Sequence, residues 1–334
     1  VFTVDQDGKT TISGDEGGDA VVVLDADNGD DVGDSWLISS EAADNELSFN
    51  NAPGYSLSGA SYDSKKATIS EGNDDIGAVR FKDDGTKMYI VDYSTDTIYQ
   101  YSLSTAWDVS TATYDSVSFD ASSQETAAIG LDFRSDGSTM YVSGFGSNTT
   151  YQYTLSTPWD LNTASYASKS CSHTSENTTI YGIRLSSDGT KLYVVGSNGG
   201  EFVYQYSLST AWDVSTCSYD SISLTATSQD TTMVGIDFND IGTKLLLSGW
   251  TNDNIYEYDL VTAWDLSTAT YNSVSFDIGG QESAPNGIVF GNNGTKFYVS
   301  AEGSPSEIHQ YSSGSGSVEF KLTSTGTLDV TGTA

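Results

Sequence analysis

Four segments of this chain are near-copies of one another. YQYSLSTAWDVSTATYDSVSF (99–119) returns as YQYTLSTPWDLNTASYASKSC (151–171), as YQYSLSTAWDVSTCSYDSISL (204–224) and as YEYDLVTAWDLSTATYNSVSF (256–276). The tryptophans Trp107, Trp159, Trp212 and Trp264 stand 52, 53 and 52 residues apart. A turn glycine keeps the same beat five times, at Gly85, Gly137, Gly189, Gly242 and Gly294. A unit recurring at this period buries its apolar face against its neighbours, so the chain must fold as an array.

In the second copy, IGLDF, TMYVSG, TTYQYTL and SYASKSC read as four short strands rich in Tyr, Val, Ile and Phe. An Asp-Gly turn joins the first two as a hairpin. No helical period of useful length is present. Four antiparallel strands per ~52-residue unit predict a β-propeller blade. Five turn glycines predict five blades. The last unit stops at IHQYSS (308–313), before a fourth strand, while SYDSKKATIS (61–70) carries the fourth-strand pattern ahead of the first unit. The N-terminal strand therefore closes the ring and removes its two open edges. The expected architecture is all-β. A five-bladed propeller (58–313) is inserted into a small β stalk domain built from 1–57 and 314–334.

Lys and Arg total 13 against 46 Asp and Glu, a net charge of −33. That excludes nucleic acid and anionic lipid as partners, because both need a basic face. No stretch approaches the ~20 apolar residues of a membrane span. The start at Val1, without Met or an apolar leader, reads as a processed form or a fragment.

Outside the repeat, the opening FTVDQDGKTTISG, the block LDADNGDDVGDSWLIS followed by NELSFN, and the closing FKLTSTGTLDVTGT resemble stalk segments of bacteriophage tail fibres, especially those of marine phages. The resemblance covers some 75 residues. In such fibres the NELSFN-like and FKLTSTGTLDVTG-like strands follow each other closely, whereas here about 260 residues intervene. The resemblance implies a propeller inserted into one stalk domain and a homotrimer formed through the stalk. It also implies a place on the virion surface or another extracellular appendage, and a non-enzymatic role in recognising a host-surface receptor, a glycan above all. The alternative is a structural subunit of an extracellular filament with the propeller as lateral decoration.

The two faces of the disc differ. The AWD loops are almost identical between blades, which suits a structural plug in which Asp108, Asp160, Asp213 and Asp265 bond their own turn amides. The opposite loops diverge: DYSTDT (92–97), GFGSNT (144–149), GSNGGE (196–201), GWTNDN (249–254) and AEGSPS (301–306). Three of them place an aromatic at one position, Tyr93, Phe145 and Trp250. A ring beside polar groups suits a sugar, whose apolar face stacks while its hydroxyls bond to neighbours. Tyr93, Phe145, Trp250, Asn252 and Asp253 are the expected contact residues; the alternative is that the rings pack on the next blade.

The blade-to-blade loops place Glu125, Asp230 and Glu282 at one position, as an acidic ring for a cation such as calcium or as a solvated rim. The stalk's DADNGDD (25–31) departs from calcium-loop spacing. No cofactor is expected. Along the channel the polar position of the first strand reads Arg80, Asp132, Arg184, Asp237, Val289. Alternating signs predict an ion-pair belt. A catalytic Asp132–Asp237 pair is the rival reading, disfavoured because neighbouring arginines would lower both pKa values. His173 and His309 are too few for a zinc site. Cys171 and Cys217 lie seven positions out of register on neighbouring outer strands, about 23 Å at ~3.3 Å per residue, so no disulfide is expected.

Overall fold

The computed structural model describes residues 55–314 with their side chains, apart from 177, 178, 198, 199 and 282. Outside that span it describes the backbone of seven short strands. Contacts divide the chain into two units, 1–54 with 314–334 and 55–313.

The larger unit is a ring of five four-stranded antiparallel sheets. Blade two is representative: Ala128–Phe133 nearest the axis, then Thr139–Gly144, Thr149–Leu155 and Ala164–Ser172. The inner strand is buried throughout, while the outermost alternates between partly covered and exposed positions. That gradient is why apolar runs mark inner strands and alternation marks outer ones. Near the axis the strands approach too closely for a side chain. A Cβ at Gly182 would lie 2.6 Å from the Val234 carbonyl oxygen, and one at Gly235 2.4 Å from that of Asn286.

Blade five takes its outer strand, Ser56–Thr68, from the N-terminal side of the ring. The fifth repeat begins earlier than the sequence suggests. GYSLSGASY (54–62) is a copy of PWDLNTASY (158–166), with Tyr55 in the tryptophan's place. Tyr55 shares the left-handed φ of 62° with Trp107 at 64° and Trp264 at 62°. Its amide donates to the Gly294 carbonyl at 2.8 Å, as Trp107 does to Gly85 at 3.0 Å.

Each AWD loop forms a short 3-10 turn capped by its aspartate: Asp108, Asp160, Asp213 and Asp265 accept from the amide two residues on. Each indole lies flat on its own blade's turn glycine, where even a methyl group would collide at 2.2–2.4 Å. The tryptophan carbonyl then receives the tyrosine hydroxyl of the preceding blade, as in Tyr89 to Trp159 at 2.6 Å and Tyr141 to Trp212 at 2.8 Å. The first amide of each 3-10 turn donates to the preceding blade's glutamine: Leu161 to Gln100, Val214 to Gln152, Leu266 to Gln205 and Val109 to Gln310. At the fourth seam the Leu57 amide meets Glu257 at 2.6 Å instead.

That exchange is compensated within blade four. Elsewhere a second-strand lysine meets a fourth-strand aspartate, as in Lys87–Asp115 and Lys191–Asp220. Blade four keeps Lys244 but carries Asn272 on the outer strand, and the carboxylate has moved to Glu257, 2.7 Å from Lys244. Blade two has lost both charges, with Thr139 and Ala167 in their places.

Contrary to the register arithmetic, Cys171 and Cys217 form a disulfide with Cα atoms 6.0 Å apart. That arithmetic treats neighbouring outer strands as upright and parallel. Blades twist, so the far half of one outer strand leans over the next blade's 3-10 turn. Lys169, two residues before Cys171, reaches Asp213 at 2.7 Å in that turn. The two cysteines occupy an inter-blade contact that recurs around the ring. Each seam's core places Ala67 with Ala112, Phe119 with Ala164, Leu224 with Ala269 and Phe276 with Ala60 in the same cluster.

In the smaller unit a five-stranded sheet runs in the spatial order Leu328–Thr331, Glu319–Leu322, Glu46–Asn51, Ser35–Glu41, Ala20–Asp25. Glu46–Asn51 and Glu319–Leu322 pair antiparallel, with Phe49 opposite Phe320. Residues 26–31 of the DADNGDD segment lie outside the described residues.

Candidate functional site

The axis is closed by charge. Arg184 lies between two carboxylates, with Nη1 2.7 Å from Asp132 and Nε 2.8 Å from Asp237. The remaining carboxylate oxygens accept the amides of Leu185 and Phe290 at 2.8 and 2.7 Å. Arg80 has Asp132 on one side, 3.4 Å from its Nε, and apolar Val289 on the other. It turns inward and donates to the carbonyls of Val79, Ile288, Ile183 and Ile236 at 3.0–3.2 Å. One guanidinium thereby touches all five blades. The space left beside it is about 10 Å³, room for one water.

Burial would lower the pKa of Arg184, but Asp132 and Asp237 outweigh it and hold that pKa above the ordinary arginine value. Burial raises the pKa of Asp237 despite Arg184 and Arg80, so the expectation of a lowered value there is corrected: desolvation exceeds the arginines' pull. Asp132 and Asp237 are separated by Arg184 and held by backbone amides, an arrangement with no open carboxylate pair.

The loops of the opposite face are shaped from within. Glu125 is 0% exposed and Asp230 1%. Glu125 accepts the amides of Ala127 and Ser147, and Asp230 those of Thr232, Thr251 and Asn252. They form neither an open acidic ring nor a solvated rim; each carboxylate folds its own blade's loop. Glu282 lies outside the described residues. Among the described residues no cluster of three or more His, Cys, Asp or Glu could hold a metal.

Asp253 belongs to a second repeated device. Its Oδ1 accepts the Ala284 amide of the next blade at 2.9 Å, as Asp96 does from Ala128 and Asn148 from Ile180. Asn252 is likewise engaged locally, donating to the Gln229 carbonyl at 3.0 Å. Both hold the loop.

Phe145 and Trp250 stand outward, whereas Tyr93 is half-buried and packs on the next blade. Phe145 is 38% exposed and Trp250 44%. Tyr93 and Phe145 meet edge to face with centroids 6.2 Å apart. Tyr93 also donates to Glu302, which accepts from Asn286 at 3.1 Å. Burial and Glu302 together raise the tyrosine's pKa. Going round the ring, Trp250, Glu302, Tyr93 and Phe145 form an arc over four consecutive blades, and Ser197 occupies the fifth position. Glu302 stands at the aromatic position of its loop, the second residue of AEGSPS.

These features define a closed five-bladed β-propeller whose axis is plugged and whose divergent face carries partly exposed aromatic rings. No family model and no curated protein matches the chain. Among solved structures it is similar to a protein of unknown function from Desulfotomaculum acetoxidans, at 13% identity and a TM-score of 0.43 over 86% of this chain and 75% of that one. It is also similar to a Bacteroides fragilis protein provisionally described as a 6-phosphogluconolactonase, at 13% identity and a TM-score of 0.44 over 86% and 85%. Among the described residues no helix is long and apolar enough to cross a membrane.

Proposed function

We propose that the chain is a non-enzymatic recognition module of an extracellular appendage of the phage tail-fibre kind. In this reading its divergent face contacts a cell-surface glycan and its stalk segments assemble as a trimer. The observation that carries the reading is the exposure of Phe145 and Trp250 on loops whose turns are fixed by buried carboxylates. A rigid frame that presents aromatic rings to water costs little ordering entropy on binding. The Cys171–Cys217 disulfide fits an oxidising, extracellular setting. The locked axial carboxylates give no general acid or base to a hydrolase reading.

The test is a glycan array, followed by adhesion of host cells, with the intact protein and with Tyr93→Ala, Phe145→Ala and Trp250→Ala combined. The combined variant should stay folded, with a melting temperature lowered by the loss of the Tyr93–Glu302 and Tyr93–Phe145 contacts, and lose binding. Retained binding would remove this face from the proposal.

A further inference from the structure

A groove of about 510 Å³ opens at the seam between blades three and four, on the face of the AWD loops. It is lined by Ile222, Trp264, Asp265, Asp188, Asp220 and Lys191, among others. Lys191 is already engaged, 2.8 Å from Asp220. Asp265 uses Oδ1 to cap its turn, accepting from the amide and hydroxyl of Ser267 at 2.9 and 2.7 Å. Its other oxygen meets no cation among the described residues.

Two of the three sister seams that carry an AWD loop show what chemistry the site accepts; at the third, between blades one and two, Val117 stands at the lysine position and Lys82 at the arginine position. Between blades five and one, Lys65 places its ammonium 2.6 Å from Asp108, the counterpart of Asp265. Between blades two and three, Lys169 does the same to Asp213 at 2.7 Å. In that second seam Arg134 also lies over the ring of Trp212, the counterpart of Trp264, at 5.5 Å. At the seam of blades three and four both cations are gone. Ile222 stands at the lysine position and Ser186 at the arginine position, while the tryptophan and the aspartate remain. The receptor half of the motif is intact, its internal ligand is missing, and a groove lies where that ligand would be.

We infer that this seam binds a lysine side chain of a partner protein. Its ammonium sits on Asp265, and its aliphatic stem lies along Ile222 and Trp264. Three carboxylates against one ammonium leave the groove negative, and the chain's charge of −33 draws a basic partner towards it. The site is independent of the glycan face.

The test uses the full chain labelled with 5-fluorotryptophan and read by fluorine NMR, the Trp264 resonance being assigned with Trp264→Phe. Nα-acetyl-lysine N-methylamide is titrated in, with the norleucine analogue and glucosamine as comparisons. The lysine probe should shift the Trp264 resonance saturably and leave Trp212 in place; norleucine lacks the charge and glucosamine lacks the stem. Asp265→Asn should weaken binding about fivefold. Ile222→Lys supplies the chain's own ammonium, as at positions 65 and 169, so it should fold and abolish the shift. The inference is overturned if the lysine probe leaves Trp264 unmoved into the high millimolar range. It is equally overturned if norleucine acts as well, or if binding survives in folded Ile222→Lys. A glucosamine-only shift would reassign the groove to amino sugars and overturn the lysine assignment.

Discussion

Arg80 of blade one donates to the carbonyl of Ile236 in blade four, 3.2 Å away, although those blades share no seam. A single side chain therefore ties together strands that the repeat itself leaves unconnected. Replacing it by Met removes the donor from four carbonyls and leaves Asp132 and Asp237 with one arginine. Breaking a buried pair of this kind costs about 3 kcal/mol or more. Urea unfolding of Arg80→Met should show that loss, with the midpoint falling; coincident midpoints would mean that the axial arginine does not hold the ring.

The disulfide gives a second prediction. Closing 46 residues between Cys171 and Cys217 restricts the unfolded chain by about 4 kcal/mol in the loop-entropy account. Dithiothreitol should lower the urea midpoint of the natural protein. The variant Cys171→Leu with Cys217→Ala restores the pair found at Leu224 and Ala269. It should be insensitive to dithiothreitol and more stable than the reduced natural protein. If reduced protein and variant unfold together, the apolar pair adds nothing at this seam.

His173 sits fully buried beside the disulfide, its Nε2 2.9 Å from the Thr150 hydroxyl. Burial lowers its pKa to about 3, against 6.5 for the free side chain. The unfolded chain thus binds a proton that the folded chain refuses. Stability from this group is fully present above pH 6.5 and is lost as pH falls from there towards 3. His173→Gln should reduce the slope of the stability curve between pH 6.5 and 5, leaving the share of His309, whose pKa burial also lowers. An unchanged slope in denaturant melts across that interval would exclude His173 as its source.

Blade four carries Ile241 where other turns cap themselves with Asp84, Asp136 or Asp188. Asn239 takes over, accepting the amides of Thr243 and Lys244 at 2.8 and 2.9 Å. Asn239→Ala should cost about 1–2 kcal/mol. Adding Ile241→Asp should restore most of that loss, because the usual cap returns. Additive losses in the double variant would show that the two positions are not alternatives.

Much of this architecture was legible because a repeat is read by comparison with itself. Blade number follows from the spacing of Gly85 to Gly294, strand order from the four runs of each unit, and the N-terminal closing strand from the fourth-strand pattern at 61–70. What stayed hidden depends on positions where the repeat breaks. Tyr55 and Ser56 replace Trp and Asp together, so the fifth loop lost its signature and its 3-10 turn, Ser56–Thr68 being strand, while Tyr55 keeps the left-handed φ and the bond to Gly294. Arg80 and Arg184 look equivalent in the alignment. Only the ring's odd number, which sets Val289 beside Arg80, sends one into the belt and the other onto the axis. The disulfide is hidden from sequence because register along a strand carries no sign of blade twist. Glu125 and Asp230 read as surface acids, since sequence carries no sign of the backbone amides that fold around them.

Tyr55 and Ser313, at the two ends of the ring, both bond to the same turn: the amide of Tyr55 and the hydroxyl of Ser313 meet the carbonyl of Gly294. For the strands Glu46–Asn51 and Glu319–Leu322, 267 residues lie between them in the chain, and the closed ring removes most of the freedom of that stretch. Left as loose chain, that stretch would oppose their pairing by roughly 5 kcal/mol of closure entropy. Closing the ring before the stalk strands pair is therefore the less costly order, since Ser56–Thr68 meets Glu307–Gly314 across the same long stretch that the stalk pairing would otherwise have to close.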